Sequence, residues 1–97
     1  MASIPVVMRW MRRTCRSEER LPSDEEFEAN KPAYKEILKA AQSLGGGDPL
    51  DDIGEWAVAW TKETGQLPTP QQFRAQTRRI LADYDVDVPD DSMLAKR

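Results

Sequence analysis

Apolar residues recur at intervals of three and four along most of this chain, and proline or glycine interrupts each run. The clearest run consists of Tyr34, Ile37, Leu38, Ala41 and Leu44. Side chains at this spacing share one face of an α-helix. No run alternates between apolar and polar residues for long enough to predict a strand. The sequence therefore predicts an all-α fold, a small helical domain with about five helices.

Residues that start or stop helices indicate where the first three helices lie. Pro5 suits a first helical turn, and Pro22 stops the helix before it. Ser23 and Glu26 have the spacing of a capping box, which predicts the start of a second helix. Pro32 is expected to interrupt that helix, because proline removes a backbone hydrogen bond. The third helix then ends at glycines 45–47, which suit either a hinge or a helix C-cap.

The rest of the chain predicts two more helices and a tail. Asp48 is the expected N-cap of the first, with Pro49 at its first position and Gly65 after its end. Thr69 is expected to cap the second helix. The apolar face of that helix consists of Phe73, Thr77, Ile80, Leu81 and Tyr84. Residues 85–97 are expected to form an extended or frayed tail.

An internal repeat with an offset of 46 residues relates two halves of the chain, approximately residues 5–44 and 48–84. Five identities fall between Trp10 and Ala29: Trp10 with Trp56, Leu21-Pro22 with Leu67-Pro68, Phe27 with Phe73, and Ala29 with Ala75. Each half would be a helix with a core Trp, a tight Leu-Pro turn, and a capped helix that begins with a core Phe. We therefore predict a single domain, residues 1–97, of two related helix-turn-helix-like halves.

The absence of histidine excludes most conventional enzymatic chemistry. Histidine is the commonest general base and a common zinc ligand, and this chain has none. Its one thiol, Cys15, therefore has no imidazole partner, and Ser–His pairs are excluded as well. We expect a binding protein that is not an enzyme, with no cofactor and no metal site. A single cysteine fits a reducing cytoplasm, and no stretch approaches the ~18 apolar residues of a membrane helix.

Charge is distributed unevenly along the chain, although the net charge is only −3. Residues 1–22 carry five arginines against two glutamates, and residues 23–63 carry ten acidic residues against four lysines. Residues 64–97 are balanced, with five of each sign. The overall charge is therefore a poor guide to the partners of any one surface.

The strongest functional candidate is the predicted helix-turn-helix unit of residues 56–84. With its apolar face inward, its second helix, residues 70–84, would present Gln71, Gln72, Arg74, Arg78 and Arg79 to the outside. Gln and Arg hydrogen-bond purine edges, and Arg also neutralises phosphates. The leading hypothesis is a DNA-binding, transcription-regulating protein that contacts double-stranded DNA, with a homodimer as one expectation. The same residues are also good helix formers on a solvated face, and this alternative stays open.

The unit resembles small helix-turn-helix modules and the short helical repeats attached to some homing endonucleases. The resemblance covers about thirty residues per half and is carried by Trp, Leu-Pro-[Ser/Thr] and Phe. The first half departs from it, because its second helix opens Asp24-Glu25-Glu26-Phe27-Glu28. Those carboxylates would repel phosphates, which puts DNA contact by the first half in doubt.

Five arginines of the first predicted helix form a second basic feature. They are Arg9, Arg12, Arg13, Arg16 and Arg20. Spacings of three and four place them on one broad helical face, from which they could clamp a DNA backbone. Alternatively, they pair with the acidic residues 24–28 or with those near residue 50.

Acidic residues support a different function, that of a protein-binding module or inhibitor of the viral or mobile-element type. The candidates are Asp24, Glu25, Glu28, Asp51, Asp52 and Glu55. As one patch, their carboxylates could imitate nucleic-acid phosphates and bind a protein partner. The other explanation is local, because carboxylates in the first turns of a helix offset the positive end of its dipole.

Overall fold

The computed structural model describes residues 3–17, 24–89 and 94, and this part of the chain confirms the all-α prediction. It contains four helices: α1 (Ile4–Ser17), α2 (Asp24–Gly45), α3 (Asp48–Thr64) and α4 (Pro70–Asp83). No strand occurs within the described ranges. None of these four helices combines the length and apolar character needed to cross a membrane.

Pro32 lies inside α2, so the predicted interruption at this residue is wrong. This difference leaves four described helices where the sequence suggested about five. A proline inside a helix costs roughly 3 kcal/mol, because it removes one hydrogen bond and crowds the preceding turn. Here Phe27 and Tyr34 on either side of it are both buried in the same core, which offsets that cost. Pro32 and Glu28 are exposed, so water can reach the carbonyl that the proline leaves unpaired.

The helices α2 and α3 lie at the centre of the packing, and each contacts the other three. Helix α1 packs on both of them, and so does α4, but α1 and α4 do not contact each other within the described residues. One continuous apolar core runs through all four helices, with large buried side chains that include Met11, Tyr34, Leu50 and Phe73. The outer faces of α1 and α4 are therefore separate surfaces of the molecule.

Helix α1 approaches α3 closely at Gly54. A methyl group at this glycine would lie 2.7 Å from Cε3 of Trp10 and 3.3 Å from Cγ2 of Val7. The absent side chain thus provides the space in which the indole ring lies against α3. Trp10 is partly buried and packs on the core, as the repeat predicted for its position.

The glycines after α2 form a C-cap and a short connection. Gly46 adopts a left-handed conformation (φ 77°), and its N–H donates to the carbonyl of Gln42 at 2.9 Å. Helix α3 begins at once, with Gly47 as its N-cap and no side-chain capping bond. The predicted N-cap, Asp48, is therefore one residue off: it occupies the first helical position, and Pro49 follows it.

Helix α4 ends in a left-handed residue that is not glycine. Asp85 has a φ of 59°, its N–H donates to the carbonyl of Ala82, and the next N–H, of Val86, donates to Leu81. These paired bonds are those of a Schellman motif. Residues 86–89 have no regular secondary structure, in line with an extended start to the tail. Leu94 is nevertheless fully buried, so the tail contributes to the core.

Buried positions partly follow the 46-residue offset. The pairs Val7/Ile53, Met11/Ala57, Phe27/Phe73 and Tyr34/Ile80 are buried in both halves. The second helices differ, since α2 has 22 residues and α4 has 14. The Leu21-Pro22 turn and the Ser23 cap lie outside the described residues. The two-half repeat therefore stays a prediction.

Candidate nucleic-acid interface

The turn from α3 to α4 is closed by a cap at each end. Gly65 adopts a left-handed conformation (φ 71°), and its N–H donates to the carbonyl of Thr61 at 2.9 Å. Thr69 forms the predicted capping box: its hydroxyl accepts from the N–H of Gln72 at 3.1 Å. In return, Oε1 of Gln72 accepts from the N–H of Thr69 at 2.9 Å. Gln72 therefore has a structural role, and only its amide NH₂ is left for a partner.

Helix α2 supports this turn from beneath through Tyr34. The Tyr34 hydroxyl donates a hydrogen bond to the carbonyl of Pro68, and the tyrosine ring lies 4.8 Å from the ring of Phe73. Trp56 of α3 packs on the other side of Phe73, with ring centroids 6.2 Å apart. Burial raises the pKa of Tyr34 above its ordinary value, so its hydroxyl keeps its proton. The start of α4 is thus held by aromatic contacts to both central helices.

The inward face of α4 is the predicted one, with one exception. Phe73, Thr77, Ile80 and Leu81 are buried, and the Thr77 hydroxyl donates to the carbonyl of Phe73 at 2.7 Å. Tyr84, predicted as the last member of this face, is 41% exposed and lies just after the helix. It turns outward to α3, where its hydroxyl donates to Asp52.

The outward face of α4 carries the predicted polar and basic residues. Gln71, Gln72 and Arg79 are exposed, whereas Arg74 and Arg78 are half-buried. No hydrogen bond or ion pair joins any of the three arginines to another described residue. Nε of Arg78 is buried without a hydrogen-bond partner in this part of the chain. The sequence of α4 contains no acidic residue before its last position, Asp83. The helix therefore presents positive charge that nothing described here neutralises.

A shallow groove borders the N-terminal end of this face. Its volume is about 330 Å³, and it lies between α2 and α4. The lining residues are Ala33, Ile37, Pro70, Gln71 and Arg74. Two of the five candidate contacts thus lie at the edge of an apolar depression, where a groove-wall group of a ligand could fit.

The arginines of α1 do not join the surface of α4. Arg12 forms ion pairs with Asp24 and Glu28, and its guanidinium lies 5.7 Å from the centre of the Phe27 ring. The internal pairing left open by the sequence is therefore what Arg12 does. Arg9 and Arg13 are exposed on α1, which does not contact α4. The side chain of Arg16 and all of Arg20 lie outside the described residues.

The candidate acidic residues do not form a single patch. Asp24 and Glu28 pair with Arg12, and Glu25 is exposed beside them at the start of α2. The second set, on α3, consists of half-buried Asp51 with exposed Asp52 and Glu55. The 22 residues of α2 span about 30 Å at 1.5 Å per residue, and α3 starts where α2 ends. The two acidic sets therefore lie toward opposite ends of the molecule.

The acidic set on α3 has one clear electrostatic consequence. The Tyr84 hydroxyl donates to Oδ2 of Asp52 at 2.7 Å. This hydrogen bond stabilises the protonated phenol and raises the pKa of Tyr84 to about 12, with Asp48 and Asp51 adding to the effect. Asp52 is thus partly engaged inside the molecule and is not simply a free surface charge.

The rest of the described chain offers little reactive chemistry. Cys15 is buried, and desolvation together with the nearby charges of Asp24 and Glu26 raises the pKa of its thiol. No three His, Cys, Asp or Glu side chains in the described ranges are grouped as metal ligands would be. The chain matches no protein-family model, no curated protein and no solved structure. Any functional argument must therefore come from the surfaces themselves.

Proposed function

We propose that this protein binds double-stranded DNA through the outward face of α4, with α3, the turn and α4 acting as a helix-turn-helix unit. The observation that carries the proposal is the unpaired basic face of α4, which combines Arg74, Arg78 and Arg79 with the amide of Gln71. A transcription-regulating role is the corresponding biological expectation, and binding without catalysis is the corresponding chemistry.

Desolvation explains why the state of Arg78 supports a ligand at this face. A guanidinium nitrogen that is buried without a partner is costly, because it has lost water and gained no hydrogen bond. A phosphate oxygen is a strong acceptor for guanidinium groups and would recover that energy. An anionic backbone laid along α4 would meet Arg74, Arg78 and Arg79 within two turns of helix.

The N-terminal end of α4 suits contact with base edges. In helix-turn-helix proteins, the first residues of the second helix enter the major groove. Gln71 is exposed at that point, and Arg74 follows one turn later. Both side chains can form paired hydrogen bonds to purines, whereas Arg78 and Arg79 farther along suit phosphates. Since Gln72 is used in the capping box, we assign it a supporting role only.

Salt-dependent affinity for duplex DNA tests the proposal. A fluorescently labelled mixed-sequence duplex is titrated with protein at several salt concentrations, and binding is followed by anisotropy. The triple variant Arg74→Gln, Arg78→Gln, Arg79→Gln should lose most of the affinity at low salt. The slope of log K against log[salt] should become shallower by up to about 2.7, at roughly 0.9 per lost phosphate contact. The same titration on a duplex with two half-sites reports whether a homodimer binds.

A matched variant controls for net charge. Arg13→Gln, Lys39→Gln, Lys62→Gln also removes three positive charges, but from exposed positions on α1, α2 and α3. It should retain the salt slope of the unmodified protein. Equal loss in both triples, or no duplex binding at low salt, would rule out α4 as the interface. Far-ultraviolet circular dichroism checks that both variants stay folded.

The acidic alternative is tested in the same assay. A phosphate-imitating inhibitor would ignore DNA, whichever arginines are changed. It would lose its protein partner when Asp51, Asp52 and Glu55 are replaced by their amides. The structure favours the DNA proposal over this alternative only in one respect, namely that the acidic residues are divided between two ends while the α4 cations lie together.

A further inference from the structure

A second groove, between α1 and α2, combines an apolar floor with cationic walls. Its volume is about 260 Å³, and its described lining residues are Pro5, Met8, Arg9, Arg12, Phe27, Lys31 and Lys35. None of these residues is acidic, in a region of the chain that is otherwise rich in carboxylates. The groove is therefore selective in its charge, and that selectivity indicates an anionic ligand.

The cations are arranged in two rows of one helical turn each. Arg9 and Arg12 stand three residues apart on α1, and Lys31 and Lys35 stand four apart on α2. Between the rows, Met8 and Phe27 form the apolar floor. Both floor residues belong to the hydrophobic core, so the floor is held in place from beneath.

Two of the four cations are available to a ligand. Arg12 and Lys31 are drawn to Glu28, with the Lys31 ammonium 4.0 Å from its carboxylate. Arg9 and Lys35 are exposed, and neither forms an ion pair with any other described residue. They stand on opposite walls, so one ligand lying in the groove could meet both.

The dimensions of the groove correspond to a short piece of helix. Arg12 contacts Glu28 at one end, and Pro5 and Lys35 line the other. The seven residues from Pro5 to Arg12 advance about 10 Å along α1, which is roughly two helical turns. The volume lies below the ~300–1,000 Å³ of typical small-molecule pockets and suits one large inserted side chain.

We propose that the α1–α2 groove binds an acidic amphipathic helix of a partner protein. An apolar side chain of that helix rests on Met8 and Phe27, and carboxylates one turn to either side pair with Arg9 and Lys35. A nucleic-acid backbone is the less suitable occupant, because it offers phosphates to the walls but no aliphatic group to the floor. The groove lies on α1, which does not touch α4, so this inference does not rest on the proposed DNA function.

A pair of designed peptides tests the inference. The probe is a blocked, labelled, alanine-based helix with a central leucine and glutamates one turn before and after it. The control peptide has glutamine at the glutamate positions. Binding is followed by anisotropy, and the methyl resonance of Met8 reports contact with the floor. We expect the glutamate peptide to bind, to shift the Met8 signal, and to bind at least about tenfold more tightly than the glutamine peptide.

Charge reversal locates the binding site. Arg9→Glu with Lys35→Glu should weaken binding of the glutamate peptide by about tenfold or more, because attraction on both walls becomes repulsion. Arg13→Glu with Lys39→Glu makes the same charge change at exposed positions on the same two helices and should leave most of the affinity. The α4 triple variant should bind the peptide normally, which separates the two proposals.

Several results would overturn the inference. They are the absence of binding by the glutamate peptide, equal affinity of the two peptides, equal losses in the two charge reversals, or an unmoved Met8 signal. A further contrary result is duplex DNA that displaces the peptide and loses affinity on Arg9→Glu with Lys35→Glu. The groove would then be a phosphate contact.

Discussion

Replacement of Gly54 by alanine should destabilise the protein, although alanine is the better helix former. Within a helix, glycine to alanine gains about 0.5–1 kcal/mol of stability from backbone entropy. At this position the new methyl carbon would lie 2.7 and 2.8 Å from Cε3 and Cζ3 of Trp10. Carbon atoms in favourable contact are separated by about 3.5–4.0 Å, so the ring or the helix must move by close to 1 Å.

The expected magnitude follows from the competition between these two effects. Inserting a methyl group into a packed interface costs about 1–3 kcal/mol. The net loss of unfolding free energy for Gly54→Ala is therefore about 1 kcal/mol, which lowers the Tm of a domain this size by about 4–8 °C. Replacing Trp10 by leucine removes both clashing ring atoms. In that background, Gly54→Ala should become stabilising by about 0.5 kcal/mol or more.

A double-mutant cycle provides the measurement. Urea unfolding is followed by far-ultraviolet circular dichroism for the unmodified protein, the two single variants and the double variant. Ala59→Gly, at an exposed position of the same helix, measures the propensity effect without packing. A stabilising Gly54→Ala in the unmodified protein, or an effect of the same sign in both backgrounds, would refute the close approach of α1 and α3.

Three further predictions concern the chain end, a phenol and a thiol. Asp85→Gly should stabilise the protein by about 0.5 kcal/mol in thermal or urea unfolding, because glycine accepts a φ of 59° without strain, whereas Asp87→Gly should give no gain. The hydrogen bond to Asp52 raises the Tyr84 pKa to about 12, so its stabilising contribution is complete below the ordinary value of 10.0 and is lost as the pH rises through 12. Phenolate absorbance should show this late titration, and Asp52→Asn should move it back toward 10.0, a shift whose absence would contradict the hydrogen bond. Cys15 is buried with a raised pKa, so a chromogenic disulfide reagent should label it far more slowly in the native protein than in urea, and equal rates would contradict its burial.

Features that depend on neighbouring residues in the sequence could be predicted. The capping box of Thr69 and Gln72 uses side chains three positions apart, so its signal is local. The burial of Phe73 and Ile80 follows from helical periodicity in the same way. For that reason, the face that α4 presents outward was accessible from the sequence. Its function was not, because glutamine and arginine are equally suited to water and to DNA.

Features that depend on distant residues could not be predicted. Pro32 reads as a break, and only the burial of Phe27 and Tyr34 on both sides shows why α2 continues. Gly54 has no local signal at all, since its role is to admit a ring from α1. The pairing of Arg12 was one of two open alternatives, because charge spacing alone cannot tell an internal carboxylate from a phosphate.

The contact of Tyr34 with the α3–α4 turn limits what the second half of the chain can be by itself. Its phenol belongs to α2 yet completes the hydrogen bonding of Pro68 and covers one side of Phe73. A peptide of residues 48–84 would keep both helix caps but would lack the element that sets the angle between its helices. We therefore expect the helix-turn-helix of this protein to be a property of the whole domain and not a transplantable module.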